Sequence, residues 1–223
     1  MPIPKKVNAE PPKSAKIRIY EALKEWIVDG TLQPGEKIAD TEISAYFSVS
    51  RTPVREAMQV LADRMLIEII PGKESRVAPM NVVDLNKTYR LLAELHSLAV
   101  EFAFAKIDDQ VIDELEGINL HLVDCAACRD YRGSMAADAA FHDVFFRLAD
   151  YKFLTAFAHT LNAHVLRQER MYHENLRSNK NSPEEHQQII AALKARDLPC
   201  AKEAMAYNWQ HTASIIEIFQ QEA

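Results

Sequence analysis

The second half of the chain contains almost no residues that interrupt helices. No proline occurs between Pro79 and Pro183, and the whole chain of 223 residues has only 5 glycines and 10 prolines. Apolar residues recur there at helical spacing, which predicts amphipathic helices joined by short connections. We therefore expect a mainly α fold whose second half is an all-helical antiparallel bundle. The predicted helices lie near residues 82–105, 109–130, 132–149, 151–177, 183–196 and 198–221.

The first 80 residues have a different pattern, with shorter helices and a pair of strands. The predicted elements are a helix over 14–29, a short helix from Asp40 as its N-cap to Phe47, a helix over 51–64, and strands over 66–70 and 76–78. This order is typical of a winged helix-turn-helix. The chain therefore divides into three predicted parts: a flexible arm (1–13), a winged helix-turn-helix domain (14–80) and an all-helical domain (81–223).

Composition limits where such a protein works. No apolar run is long enough to span a membrane, and the polar, proline-rich N-terminus lacks the apolar segment of a signal peptide, so we expect a cytoplasmic protein without membrane contact. Three cysteines do not make a disulfide framework. The net charge of -6 comes mostly from residues after Met80, and it does not exclude DNA because phosphate binding depends on local basic clusters.

The helix predicted from Arg51 has a face suited to reading DNA. Arg51 and Arg55 are four residues apart, so they share one face and can each bind a guanine edge or a phosphate. Thr52 and Gln59 flank them, and the Ser50 hydroxyl lies at the helix start, where free amides favour a phosphate oxygen. Two arginines alone more often form a plain solvated helix face.

The surrounding residues resemble a known family. Residues 14–80 are similar to the DNA-binding domain of GntR-type bacterial regulators, through the segments Leu32–Glu36 and Val49–Ala57. The resemblance implies that Arg51 and Arg55 contact operator bases and that Gly72, with Lys73 beside it at the wing tip, approaches the minor groove. This chain has Thr41 where many members have a basic or polar residue, so Thr41 joins the predicted DNA contacts.

A second group of residues suggests a metal site in the helical half. Asp138 and His142 are four residues apart on one predicted helix and can bind the same cation. His186, Asn208 and His211 lie on later helices that a bundle can bring to the same centre. An isolated histidine is more often structural, so the alternative of a plain core role stays open.

Residues 83–220 resemble the FCD domain of FadR-type regulators, in particular the VanR-like, metal-binding branch. That resemblance implies that Asp138, His142 and His186 bind a divalent ion such as Zn, Ni or Mn. A further histidine of the family is Asn208 here, so the site binds metal weakly, uses His211 as a substitute, or is metal-free. His96 replaces a family glutamate in the expected effector pocket, and Arg167 and Arg170 are candidate partners for a carboxylate effector.

These observations predict a ligand-responsive repressor rather than an enzyme. We expect a homodimer that binds double-stranded operator DNA and releases it when a small organic acid binds. A metal-free sensor of acyl-CoA or another effector is the alternative. A metal-dependent enzyme is a distant one, since it leaves residues 14–80 unexplained and no HExxH-type general base is present. Cys125 and Cys128 form a C-x-x-C pattern that we interpret as core residues, not as a redox or zinc site.

Overall fold

The computed structural model describes residues 14–70, 74–80, 82–171 and 181–221, and most of them are helical. The chain forms two compact units, residues 1–80 and residues 81–223. The predicted arm (1–13) lies outside the described residues. The mainly α fold class expected from the sequence is confirmed.

Three helices form most of the described part of the first unit: α1 (Ala15–Val28), α2 (Asp40–Phe47) and α3 (Arg51–Asp63). Helix α1 buries Ile19, Leu23 and Ile27 at helical spacing and packs against α3. Each helix begins and ends within one residue of its predicted range. Ser48, in the left-handed conformation at φ 52°, ends α2 and starts the turn into α3.

A small antiparallel sheet completes the first unit. Its strands are β1 (Lys37–Ile38), β2 (Ile67–Glu68) and β3 (Ser75–Val77), in the order β1-β3-β2. Strands β2 and β3 were expected from the sequence. In the structure they pair antiparallel, with Ile67 opposite Val77. Strand β1 was not predicted, because two residues are too short to show an alternating pattern.

The described residues of the second unit form six helices: α4 (Val82–Ala103), α5 (Asp109–Ala127), α6 (Tyr131–Ala149), α7 (Lys152–Met171), α8 (Ser182–Lys194) and α9 (Leu198–Gln221). A 3₁₀ turn, Phe104–Lys106, follows α4. Helix α4 packs against α6, α7 and α9, while α5 packs against α6 and α8. Asp108 and Asp130 cap α5 and α6 by accepting hydrogen bonds from first-turn amides.

The helices of the second unit enclose one hydrophobic core. Its large members include Tyr89 on α4, Phe141 and Phe145 on α6, Ile189 on α8 and Trp209 on α9. Several polar side chains are buried next to these residues, and they supply the candidate site described below. Among the described helices, none is long and apolar enough to cross a membrane.

Candidate DNA-reading face and buried polar centre

Helix α3 has one buried face and one exposed face. Val54, Met58 and Leu61 are buried against the first unit's core. The opposite face exposes the side chains of Arg51 and Arg55, at 52% and 64% respectively. The two predicted DNA-reading arginines therefore share an exposed face at the start of the helix.

Both arginines contact the carboxylate of Asp40. The Nη2 of Arg51 donates to Asp40 Oδ1 and Oδ2 at 2.7 and 2.9 Å, and the Nε of Arg55 donates to Oδ2 at 2.6 Å. The bonds from Arg55 and Arg51 lower the pKa of Asp40. The prediction of Asp40 as an N-cap was wrong: Ala39 occupies that position, and Asp40 is the first residue of α2. Its carboxylate binds the arginines instead of a helix amide.

The other predicted contacts divide into exposed side chains and residues that the structure does not describe. The exposed ones are Ser50, Thr52, Thr41 and Gln59. Gln59 donates from Nε2 to Asp63 Oδ1 at 2.9 Å, one turn along α3. Gly72 and Lys73 lie outside the described residues.

In the second unit, α6 and α8 bring together the side chains of Asp138, His142 and His186, which we call the Asp–His cluster. One ligand atom from each lies within 4.8 Å of the others. Asp138 Oδ1 is 3.5 Å from His186 Nε2, and Asp138 Oδ2 is 3.9 Å from His142 Nε2. The pair predicted on one helix and the histidine predicted on a later one therefore meet at one point, as a metal site requires.

Burial sets the charge state of the Asp–His cluster. It lowers the pKa of His142 to about 4 and places that of His186 well below the usual value, so both rings are neutral at pH 7. It also raises the pKa of Asp138 to about 7, and the charges of Glu169 and Glu185 act in the same direction. Neutral imidazoles are the form that binds a metal ion.

Asn119 on α5 fixes the orientation of His186. Its Oδ1 lies 3.2 Å from His186 Nδ1, and its Nδ2 donates to the carbonyl oxygen of Pro183 at 3.0 Å. Because an amide oxygen only accepts, Nδ1 carries the ring proton and Nε2 keeps its lone pair. That Nε2 is buried and has no hydrogen-bond partner among the described residues. Phe141 stacks on the ring with centroids 3.8 Å apart.

Asn208 and His211 are held by Glu185. Asn208 Nδ2 donates to Glu185 Oε2 at 2.7 Å, and His211 Nδ1 lies 2.5 Å from Glu185 Oε1. All three side chains are mostly or fully buried. His211, considered as a substitute ligand, is therefore engaged with a carboxylate, and it is not part of the Asp–His cluster.

The predicted effector residues lie in two settings. His96 is buried on α4, with its ring centroid 4.8 Å from that of His142 and 4.4 Å from that of Trp209. Arg167 is buried on α7. The side chain of Arg170 lies outside the described residues.

The sequence analysis did not identify Glu185 or Asn119 as part of the buried polar centre. It also missed the hydrogen bond that the Tyr89 hydroxyl donates to Glu169 Oε1 at 2.9 Å. Burial raises the pKa of Glu169, and the Tyr89 bond partly opposes this. One signal was available in the sequence: Asn119 continues the apolar stripe of Val111 and Leu115, so a polar side chain stands at a core position.

The cysteines do not form a site. Cys125 is buried, as expected, whereas the expectation that Cys128 is a core residue was wrong because it is exposed. Cys200 is also an exposed free thiol.

Comparisons with known proteins cover both units. Residues 16–77 match the family described as bacterial regulatory proteins, gntR family, and residues 87–211 match the FCD domain. A transcriptional regulator in an unstable DNA locus of Streptomyces ambofaciens is 31% identical over 191 residues, covering 84% of this chain and 78% of that protein. The transcriptional repressor RspR of Escherichia coli is 27% identical and covers 95% of this chain and 93% of the repressor.

A solved structure shares the fold. The structure of E. coli McbR/YncC is similar with a TM-score of 0.79 at 22% sequence identity, and the match covers 94% of this chain and 99% of that one.

Proposed function

The chain belongs to the GntR family of bacterial regulatory proteins, with an FCD domain as its second half, and we propose that it is a metal-containing repressor released by a small organic acid. It is a DNA-binding transcriptional regulator and not an enzyme, as the family and the fold agree. The observation that carries the sensor proposal is the Asp–His cluster, whose ligand atoms lie within 4.8 Å of one another.

Operator reading is assigned to the exposed face of α3. Arg51 and Arg55 supply guanidinium groups that bind guanine edges or phosphates, and Ser50 and Thr52 supply hydroxyls near the free amides at the helix start. The remaining assigned contacts are Thr41, Gln59, Gly72 and Lys73. Exposure of the arginines supports this assignment because a base-reading side chain must reach into the major groove.

The residues of the buried centre fit a divalent cation. His186 Nε2 is buried and has no hydrogen-bond partner in the part of the chain that the structure describes, and burying an unpaired polar atom costs about 1 to 3 kcal/mol. Asn119 holds the ring so that the same atom faces Asp138. Two imidazoles and one carboxylate suit Zn, Ni or Mn, and Asn208 beside them is a weak additional ligand.

A bound ion with open positions would attract an anionic effector such as a small carboxylate. His96, whose ring packs against that of His142, would contact the organic part of that molecule. Arg167, buried on α7, is the candidate partner for its carboxylate. A homodimer would place two copies of α3 on a pseudo-palindromic operator. The effector must then bind the DNA-free protein more tightly than the DNA-bound protein, by about 1 to 3 kcal/mol if the coupling between the two sites is typical.

The DNA assignment is tested on duplexes that the full-length protein enriches from a random-sequence library. We expect Arg51→Ala and Arg55→Ala each to raise the Kd at least about fivefold, the lower limit for the loss of one specific arginine contact. Arg132→Ala removes an exposed arginine from the second unit and serves as the matched control. Arginine variants that bind as tightly as the wild type would contradict the assignment.

Elemental analysis of gently purified protein tests the metal. We expect a stoichiometric divalent ion in the wild type and its loss in His142→Ala. Absence of metal from both proteins would favour the metal-free alternative, a sensor of acyl-CoA or a similar effector. A thermal-shift screen of small carboxylates on metal-loaded protein then identifies the effector class, because a ligand of the native state raises its melting temperature.

A further inference from the structure

The Asp40 carboxylate lies between the two arginines of α3 and is shielded by them. Its side chain is 18% exposed, compared with 52% for Arg51 and 64% for Arg55. Both carboxylate oxygens accept bonds from these arginines. Two long side chains are therefore ordered before DNA arrives, which reduces the conformational entropy that they lose on binding.

Arg55 is held through the nitrogen nearest its aliphatic stem. Within the described part of the chain, Nε donates to Asp40 Oδ2, and the terminal Nη1 and Nη2 groups donate no hydrogen bond to Asp40. Nη1 and Nη2 form one of the two edges on which a guanidinium offers two parallel donors. Arg55 can therefore bind the O6 and N7 atoms of a guanine while its bond to Asp40 persists.

Arg51 is held differently. Its Nη2 donates to both oxygens of Asp40, at 2.7 and 2.9 Å. Nη2 belongs to both two-donor edges of a guanidinium, one shared with Nη1 and the other with Nε. Arg51 can therefore offer a two-donor edge only after it loses a contact with Asp40. Its Nη1 and Nε remain as separate donors, each suited to a single phosphate oxygen.

The charge of Asp40 also affects binding to DNA of any sequence. One carboxylate beside two guanidinium groups leaves the cluster with one net positive charge instead of two. Non-specific affinity depends on how many phosphates a protein neutralises, so this acid weakens it. Base contacts that use the Arg55 edge are not reduced in the same way, because Asp40 orients that edge.

We propose that Asp40 is a specificity-determining positioning residue, which orients Arg55 to read a guanine and confines Arg51 to a phosphate contact. The proposal deepens the DNA-reading function proposed above and rests on it. Its measurable quantity is the specificity ratio, defined as the Kd for a scrambled duplex divided by the Kd for the library-enriched duplex of the same length and composition.

The first experiment compares Asp40→Asn with Glu42→Gln in the full-length protein. Glu42 is exposed in the same first turn of α2, so its substitution removes the same charge from the same helix end. We expect Asp40→Asn to lower the specificity ratio at least about fivefold, the discrimination that one guanine contact provides. For the scrambled duplex, the slope of log binding constant against log salt concentration should become more negative by about one, because an arginine freed from Asp40 can contact one more phosphate.

The second experiment separates the two arginines and does not depend on the folding of Asp40→Asn. Lysine can neutralise a phosphate but cannot make the two parallel bonds to guanine. We expect Arg55→Lys to lower the specificity ratio at least about fivefold and Arg51→Lys to lower it less than that. Thermal unfolding of each variant confirms that it is folded.

The outcomes distinguish this proposal from the function on which it rests. Failure of the wild type to enrich any sequence would overturn the DNA-reading function itself. A sequence-specific wild type whose specificity ratio falls less than about fivefold in folded Asp40→Asn, or falls equally in Glu42→Gln, overturns the role of Asp40 alone. Equal losses in Arg51→Lys and Arg55→Lys would also overturn the proposed division between the arginines.

Discussion

Asp138 has surroundings that favour its protonated form. Burial raises the pKa of this carboxyl group from 3.8 to about 7, and the charges of Glu169 and Glu185 add to the effect. The folded protein therefore binds the proton more tightly than the unfolded chain does. By linkage, the free energy of unfolding falls as pH rises from about 4 to about 7 and changes no further above that range through this group. A bound cation would replace the proton and remove the penalty.

Asp138→Asn tests this pH dependence, since an amide of nearly the same shape cannot ionise. In metal-free protein we expect the variant to be more stable than the wild type at about pH 8, by about 1 kcal/mol, because solvent partly screens this side chain. The two proteins should converge below about pH 3, which lies under both pKa values, so that Asp138 is protonated in both states. Urea unfolding with a chelator present measures the difference, and the exposed Asp113→Asn is the control. A constant difference across the pH range would argue against the raised pKa.

Asn119 gives a second prediction at this scale. Asn119→Ala removes the acceptor that holds His186 Nδ1, so the ring loses both its orientation and its tautomer preference. We expect the affinity for Zn²⁺ to fall about 10 to 100-fold, the usual effect of losing such a supporting residue. Competition with a chromophoric chelator measures the Kd. His121→Ala, which removes an exposed histidine from the same helix, should leave that Kd unchanged. Equal effects of the two variants would contradict the role of Asn119.

The two glycines of α5 and α6 differ in what surrounds them. A Cβ at Gly133 would press on the Asp130 carboxylate that caps α6 and would lie 2.6 Å from Cys125 Sγ. A Cβ at Gly117, on the exposed face of α5, would meet nothing within 4 Å. The backbone at both positions is helical. Only Gly133 is therefore required by packing.

Substituting alanine for Gly133 and for Gly117 should change the free energy of unfolding in opposite directions. We expect Gly133→Ala to destabilise the second unit by about 1 to 2 kcal/mol, because the cap and the Cys125 side chain must move. Gly117→Ala should stabilise it by up to about 1 kcal/mol, since alanine has the higher helix propensity. Urea unfolding followed by circular dichroism gives both values. A stabilising Gly133→Ala would show that the start of α6 relaxes without cost.

Elements with a repeating apolar pattern were predictable from the sequence, and those defined by tertiary contacts were not. Helix α1 repeats Ile19, Leu23 and Ile27, so its range followed from periodicity alone. Strand β1 exists because Lys37 pairs with Arg76 on β3, a contact that a two-residue segment does not encode. Asp40 looked like an N-cap because its residue type favours caps, but the arginines of α3 compete for its carboxylate.

The candidate site was predictable to a similar extent. Asp138 and His142 share a helix face, and their spacing was sufficient to pair them. The burial of Glu185 and Glu169 depends on how α8 and α7 pack in the bundle, which no local pattern reveals. The same packing left Cys128 on the surface, although it lies three residues from buried Cys125.

Each compact unit contains one part of the proposed activity. Asp40 and the two arginines of α3 belong to residues 1–80, and the Asp–His cluster belongs to residues 81–223. The net charge of -6 falls mostly on the second unit. Overall charge is therefore a poor guide to DNA binding here, because the proposed contact with phosphate depends on a local cluster of arginines.

The second unit alone should retain the metal site. Its core runs from Tyr89 on α4 to Trp209 on α9, and the Asp–His cluster and Asn119 belong to the same unit. We therefore expect a fragment of residues 81–223 to fold and to bind Zn²⁺ with the Kd of the full chain, without affinity for the enriched duplex. Circular dichroism, chelator competition and a DNA titration measure these properties. The same fragment with His186→Ala should fold but lose the metal, whereas a folded parent fragment that binds no Zn²⁺ would show that residues 1–80 are needed for the site.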